Sequence, residues 1–84
     1  MTTNDLAVVE RHSDAVAHEL GASMPPVMKP ADFDRIDIDV TYIPNVDVHE
    51  FIEKLAMSLR GQGYAWDVWA NGPLVSVSEK VEGE

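Results

Sequence analysis

The sequence contains no cysteine, which excludes a disulfide framework, a thiolate zinc site and a cysteine nucleophile. It also has few basic residues: 6 Lys and Arg against 15 Asp and Glu give a formal net charge of -9. Binding to nucleic acid or to an anionic membrane needs a basic surface, so neither partner is expected. No apolar run approaches the length of a membrane span, and the N-terminal segment lacks the pattern of a signal peptide. We therefore expect a soluble, cytoplasmic protein.

The chain of 84 residues is long enough for one small domain with one hydrophobic core. We expect that domain to span residues 1–84, with frayed ends at 1–3 and 81–84. A core of this size, without disulfides, leaves a net stability of roughly 3 to 5 kcal/mol. Binding to a partner or to a second copy would stabilise such a chain.

Two segments have the apolar spacing of amphipathic helices. The first covers about residues 3–20, and Gly21 follows where a helix often ends in a left-handed residue. The second follows Asp47, an N-cap residue, and ends at Gly61 or Gly63. Between the first helix and the next element, residues 21–34 contain three prolines, which predict an extended connector packed against the core.

Residues 35–43, RIDIDVTYI, alternate in polarity and predict a strand with one buried face. Pro44 ends this strand. Residues 64–80 alternate on both sides of Asn71-Gly72, which favours a hairpin with a type I′ turn. In that register the predicted pairs include Trp69 with Leu74, Asp67 with Ser76 and Val68 with Val75.

These elements predict an α+β fold, a two-layer sandwich with the order α-β-α-β-β and two helices on one face of a three-stranded mixed sheet. The strand at 35–43 and the first hairpin strand, joined through the second helix, should run parallel with a right-handed crossover. If the last strand lies between them, the strand order is 1-3-2.

The two tryptophans are three residues apart on one strand and therefore point to opposite faces. Trp66 aligns with valines and should lie in the core. Trp69 falls on the second face, which no predicted helix covers. An exposed tryptophan on a wet sheet face, or one partly covered by the connector, needs no functional reason. The functional interpretation is a partner-binding surface, formed by Trp69, Leu74, Asp37, Asp39, Asp67 and Ile43.

The sequence contains no pattern that supports catalysis, a metal or a cofactor. His12, His18 and His49 lie at spacings that form no metal motif, and the glycines match no nucleotide-binding loop. Carboxylates on a flat, exposed sheet lack the desolvated cleft that raises a pKa for acid-base work. We expect no enzyme, no catalytic residue, no metal site and no cofactor.

The predicted function is that of a small acidic, non-enzymatic module that binds a basic protein surface. One form is an inhibitor that presents carboxylates in place of phosphates to the nucleic-acid site of its target, as phage-encoded counter-defence proteins can. The alternative is a homo-oligomeric structural subunit, in which a second copy covers the same face or an unpaired strand edge. The acidic charge alone could also serve only solubility.

Overall fold

The computed structural model describes residues 3–32 and 35–79 of the chain. Its elements are, in chain order, α1 (Thr3–Glu19), β1 (Val27–Asp32), β2 (Arg35–Asp39), α2 (Val48–Gly61), β3 (Asp67–Asn71) and β4 (Leu74–Ser78). Within the described ranges, neither helix is long and apolar enough to cross a bilayer. The fraying expected at 1–2 and 81–84 concerns residues outside these ranges, whereas Thr3 belongs to α1.

The described residues form a sheet of four strands in the order β1-β2-β4-β3, and every neighbouring pair is antiparallel. The α+β class is confirmed, and the expected three-stranded mixed sheet was wrong. Strand β4 lies between β2 and β3, so these two strands run parallel to each other without being neighbours. The connection through α2 therefore produces no parallel pairing.

The additional strand, β1, lies in the segment 21–34 that its prolines marked as a connector. Among the strands of the described ranges it pairs with β2 alone, and it forms one edge of the sheet. Pro30 lies opposite Ile36, and the pairing becomes irregular between Pro30 and Asp32. Proline is tolerated on an edge strand when its missing N–H would point to solvent, which is why the connector prediction failed here. The last two connector positions, 33–34, lie outside the described residues.

The hairpin between β3 and β4 turns at Gly72 and Pro73 and not at Asn71 and Gly72. The φ angle of Gly72 is 62°, as a type II′ turn requires at its first central position. Pro73 explains the difference, because its ring fixes φ near about -65° and suits the second central position. The pairing moves by two residues, so every side chain keeps its predicted face. The observed pairs are Asp67↔Ser78, Val68↔Val77, Trp69↔Ser76, Ala70↔Val75 and Asn71↔Leu74.

Strand β2 is shorter than predicted because the chain leaves the sheet after Asp39. The N–H and Oγ1 of Thr41 donate to Asp39 Oδ1 at 2.9 and 2.6 Å, which stabilises a local turn. Beyond this turn the alternation no longer holds. Ile43 donates its N–H to the Val40 carbonyl oxygen and is only 4% exposed, within the core. The assignment of Ile43 to the second face was therefore wrong.

The hydrophobic core lies between the helices and one face of the sheet. Helix α1 packs against α2, and α2 packs against β3. Alternate residues of the central strands β2 and β4 form the sheet side of the core. Its buried apolar side chains are Val8, Val9, Val16, Ala17, Ile36, Ile38, Val40, Ile43, Phe51, Leu55, Leu59, Val75 and Val77.

Hydrogen bonds at both ends of α2 fix where this helix begins and ends. At the start of α2, Asp47 is the N-cap residue, and its side chain accepts from two backbone N–H groups of the first turn. At the end, Gly63 donates to the Arg60 carbonyl oxygen and Tyr64 to the Leu59 carbonyl oxygen, both at 3.0 Å. These two bonds define a Schellman motif, with φ of Gly63 at 91°. Gly61 is therefore the last residue of α2, and Gly63 is the left-handed residue of its C-terminal cap.

Gly61→Ala and Gly63→Ala form a matched pair of variants, because a Cβ at either position meets no atom within 4 Å. Only the backbone conformation separates them. We expect alanine at position 63 to lower the free energy of unfolding by about 1 to 2 kcal/mol, since its φ is left-handed. At position 61, inside the helix, alanine should raise it by up to about 1 kcal/mol. Equal effects of the two variants in urea unfolding would contradict this assignment of the C-terminal cap.

A pH-dependent contact joins the two helices. The Nδ1 atom of His12 in α1 and Oγ of Ser58 in α2 share a hydrogen bond of 2.6 Å. Burial, with a smaller contribution from Arg11, lowers the pKa of His12 below its ordinary value. The unfolded chain therefore takes up this proton at a higher pH than the folded protein does.

We expect stability to fall as the pH is lowered through about 6.5, because the unfolded state then binds more protons than the native state. His12→Gln should remove that part of the pH dependence in urea unfolding measured between about pH 7.5 and 5. His49 is exposed in the first turn of α2, so His49→Gln serves as the control and should leave the dependence in place. An unchanged dependence in His12→Gln would contradict the role of this contact.

Candidate functional site

The sheet face opposite the core carries no helix in the described part of the chain, and we call it the open face. Its members alternate with the core residues along each strand, so the strand register defines them. One row crosses all four strands and contains Lys29, Asp37, Ser76 and Trp69. The open face consists of Val27, Lys29, Arg35, Asp37, Asp39, Asp67, Trp69, Asn71, Leu74, Ser76 and Ser78.

Trp69 occupies the edge strand of this face and is 37% exposed. It lies opposite Ser76, whose exposed fraction is 0%. Since no helix covers Ser76, its cover comes from the neighbouring side chains of the open face. Trp69 and Asp37 are its two partners in the strand register. One part of the indole therefore packs on the sheet, and the rest faces solvent.

Trp66 lies on the other side of β3. Its ring stacks on Tyr64 with centroids 4.5 Å apart, and it packs against the edge of the core. Its partial burial agrees with the predicted core side, although β3 begins only at Asp67. The two tryptophans thus separate as the alternation predicted, with Trp69 on the open face.

Asp37 lies at the centre of the open face and is only 9% exposed. The hydroxyl of Ser76 donates to Asp37 Oδ1 at 2.6 Å, and Arg35 Nε lies 3.4 Å from the same oxygen. A hydrogen bond to a buried carboxylate is worth more than one between neutral groups, because the ionised acceptor has lost its water. The Asp37 carboxylate is therefore held by Arg35 of its own strand and by Ser76 of the neighbouring strand β4.

Asp39 is also occupied by contacts within the chain. Besides the two hydrogen bonds from Thr41, Lys29 Nζ lies 3.4 Å from Asp39 Oδ2. The hydrogen bonds from the Thr41 side chain and backbone, followed by the ion pair with Lys29, lower the pKa of Asp39. The carboxylate is thus kept ionised and is a poor proton acceptor.

The open face is less acidic than the sequence predicted. Lys29 was missed because β1 was interpreted as a connector, and Arg35 was not recognised as a partner of Asp37. Strand alternation at the edge was the signal for Lys29, and the flanking prolines obscured it. Asp67 is exposed, and the described residues include no cation within ion-pair distance of it. Of the three predicted carboxylates, Asp67 is the one available to a partner.

The apolar part of the open face is divided between its two ends. Leu74 is half-buried next to the hairpin turn, opposite Asn71. Val27, at the other edge of the sheet, is 45% exposed and was not predicted to belong to this surface. The structure thus brings Trp69, Leu74, Asp37, Asp39 and Asp67 to one face, and it removes Ile43 from that face.

The helix side offers a cleft of about 440 Å³ between α1 and α2. Ser58 lines it and shares the hydrogen bond with His12, but no described carboxylate contacts His12 to orient it as a general base. The cleft lining also includes Lys54 and Glu19, whose charged atoms lie 3.7 Å apart. Within residues 3–32 and 35–79, no three metal-ligating side chains come together.

No protein-family model, no curated protein and no solved structure matches this chain. The site must therefore be judged from its own geometry.

The hydrogen bond between Ser76 and Asp37 can be tested with two serines of the same strand. Ser76→Ala removes the donor of a buried carboxylate, so we expect a loss of about 1 to 3 kcal/mol in the free energy of unfolding. Ser78 lies two residues further on the same face, and Ser78→Ala should change stability by less than about 0.5 kcal/mol. Chemical denaturation of both variants measures the difference, and equal stabilities would contradict the role given to Ser76.

Proposed function

We propose that this protein is a small acidic, non-enzymatic binding module that engages a basic protein surface through its open face. The observation that carries the proposal is Trp69, partly exposed on a sheet face without a helix. Tryptophan is among the residues that contribute most to binding energy in protein interfaces. A partner that covers Trp69 would remove its remaining exposed apolar surface from water.

The surroundings of Trp69 fit an anchor within a polar rim. Along β3 it is flanked on the same face by Asp67 and Asn71, and across the sheet lies the row of Ser76, Asp37 and Lys29. An apolar centre with polar groups around it is the usual arrangement of a transient protein interface. Because Trp69 is only 37% exposed before binding, part of its side-chain freedom is already lost.

Charge favours a basic partner. The net charge of -9 attracts positively charged surfaces at a distance and speeds their association at low salt. Asp67, beside Trp69, offers a carboxylate for a lysine or arginine of the partner. Asp37 and Asp39 already bind groups of their own chain, so they support strict mimicry of phosphates less than the sequence suggested. We therefore place the specific contacts around Trp69 and Asp67.

The test compares capture of partners from a lysate of the source organism by the immobilised protein and by three variants. Trp69→Ala should lower the affinity for the partner at least tenfold, since an aromatic anchor contributes about 2 kcal/mol or more to binding. Asp67→Asn should weaken capture mainly at low salt, because it removes an exposed charge. The control is Met57→Ala on α2, which removes the most exposed large apolar side chain of the described residues, at 62%. A partner retained by Trp69→Ala but lost with Met57→Ala would overturn the proposal and point to the helix side.

A further inference from the structure

The two edges of the sheet differ in the backbone groups that they present. Asn71 and Leu74 flank a two-residue turn, so they form a hydrogen-bonded pair of the antiparallel ladder. Hydrogen-bonded and non-hydrogen-bonded pairs alternate, so Trp69 also directs its N–H and C=O toward β4. Val68 and Ala70, the residues on either side of Trp69, must then direct their N–H and C=O groups away from the sheet.

The same alternation, continued across β4 and β2, directs the backbone groups of Met28 and Pro30 on β1 outward. Pro30 has no N–H to donate, and the ladder becomes irregular directly after it. An incoming strand would therefore find an incomplete set of partners at β1. The β3 edge has no proline and no irregular pairing. Two of its residues, Val68 and Ala70, direct both a backbone N–H and a C=O outward.

We propose that β3 pairs with β3 of a second copy of this chain, antiparallel about a two-fold axis at Trp69. Val68 and Ala70 are equally distant from Trp69 along the strand. Val68 of each copy therefore lies opposite Ala70 of the other copy. The N–H and C=O of Val68 pair with those of the second copy's Ala70, and the symmetric pair forms on the other side of the axis. Two sheets of four strands then become one continuous sheet of eight.

The sequence of β3, DVWAN, complements itself in this register. Asp67 lies opposite the second copy's Asn71, so the only charges of the strand do not face each other. The two Trp69 residues form a non-hydrogen-bonded pair, the position in which side chains of neighbouring strands come closest. Both indoles remain on the open face, where they can contact each other.

The helix side of β3 also gains from a second strand. Val68 and Trp66 are only partly buried and pack against the core. Ala70 is exposed. With Val68 placed beside the second copy's Ala70, this open end of the core is covered. A five-residue strand is a small interface, so the dimer depends on concentration.

The charge distribution sets the salt dependence of this dimer. Each copy carries a net charge of -9, so two copies repel each other over distances beyond β3. Added salt screens that repulsion, and the dimer should become tighter as salt rises. Binding of a basic partner should respond in the opposite direction.

Sedimentation velocity of the full chain over roughly a hundredfold range of concentration tests the pairing. We expect the wild type to shift from monomer to dimer. Ala70→Pro removes an outward N–H that the monomer does not use, and it should weaken the dimer at least about tenfold. Ala70→Val keeps the N–H and should leave the dimer intact. A wild type that stays monomeric throughout, or equal dimerisation of the proline and valine variants, would overturn the inference.

The register is tested by charge exchange at the two-fold axis. Trp69→Glu and Trp69→Lys each place like charges opposite each other, so both should be monomeric alone. Mixed in equal amounts they should form a heterodimer. Met57→Glu adds the same charge on the exposed side of α2 and is the control; with enough salt to screen the long-range repulsion, it should dimerise as the wild type does. A mixture that associates no more than its components would show that position 69 does not face itself.

The inference goes beyond the proposed function, and the two can fail separately. Ala70→Pro keeps Trp69 and the open face, so a monomeric Ala70→Pro variant that still captures the partner supports both proposals. Loss of the partner in Trp69→Ala, together with a wild type that never dimerises, would leave the function standing and remove the pairing at β3.

Discussion

The central strand β4 is the element on which both faces of the molecule depend. Its alternation places Val75 and Val77 in the core without exposed surface and turns Ser76 to the open face. Because Ser76 is small and fully covered, Trp69 can rest on one side of it while Asp37 accepts its hydroxyl on the other. A larger residue at position 76 would push the side chains of Trp69 and Asp37 apart. The open face is therefore organised around a serine and not around a charged residue.

Basic and acidic side chains of the open face contact each other within the chain. Lys29 and Arg35 are two of the six basic residues of the chain, and both contact carboxylates of this face. Partly exposed ion pairs of this kind contribute little free energy, but they orient the side chains that they join. The open face thus has two basic residues against three carboxylates, and most of the negative charge of the chain lies outside it. That charge acts at long range, while contacts at Trp69 would act at short range.

Most of the fold could be predicted from the sequence, and the failures have physical reasons. Both helices and the separation of the two tryptophans follow from apolar periodicity and from glycines at helix ends, signals that act locally. Strand β1 was missed because Pro30 disfavours strands in general but not at an edge.

The hairpin shows how one residue changes the outcome. Asn71-Gly72 is a strong turn signal, yet the adjacent Pro73 moves the turn by one position and leaves the faces unchanged. Ile43 was misplaced because a side chain, Asp39, ends the strand through Thr41. The ion pairs of Asp37 and Asp39 depend on a long-range register that periodicity does not contain. The open face could thus be located from the sequence, but its net charge could not.

Pro30 has a consequence for how far assembly could proceed. A β-sheet with two receptive borders can add copies without limit and grow into fibres. In this protein the border at β1 lacks a donor where an incoming chain would need one, so assembly through the pairing proposed at β3 would stop after one addition. Pro30 would thus limit the proposed self-association to two copies.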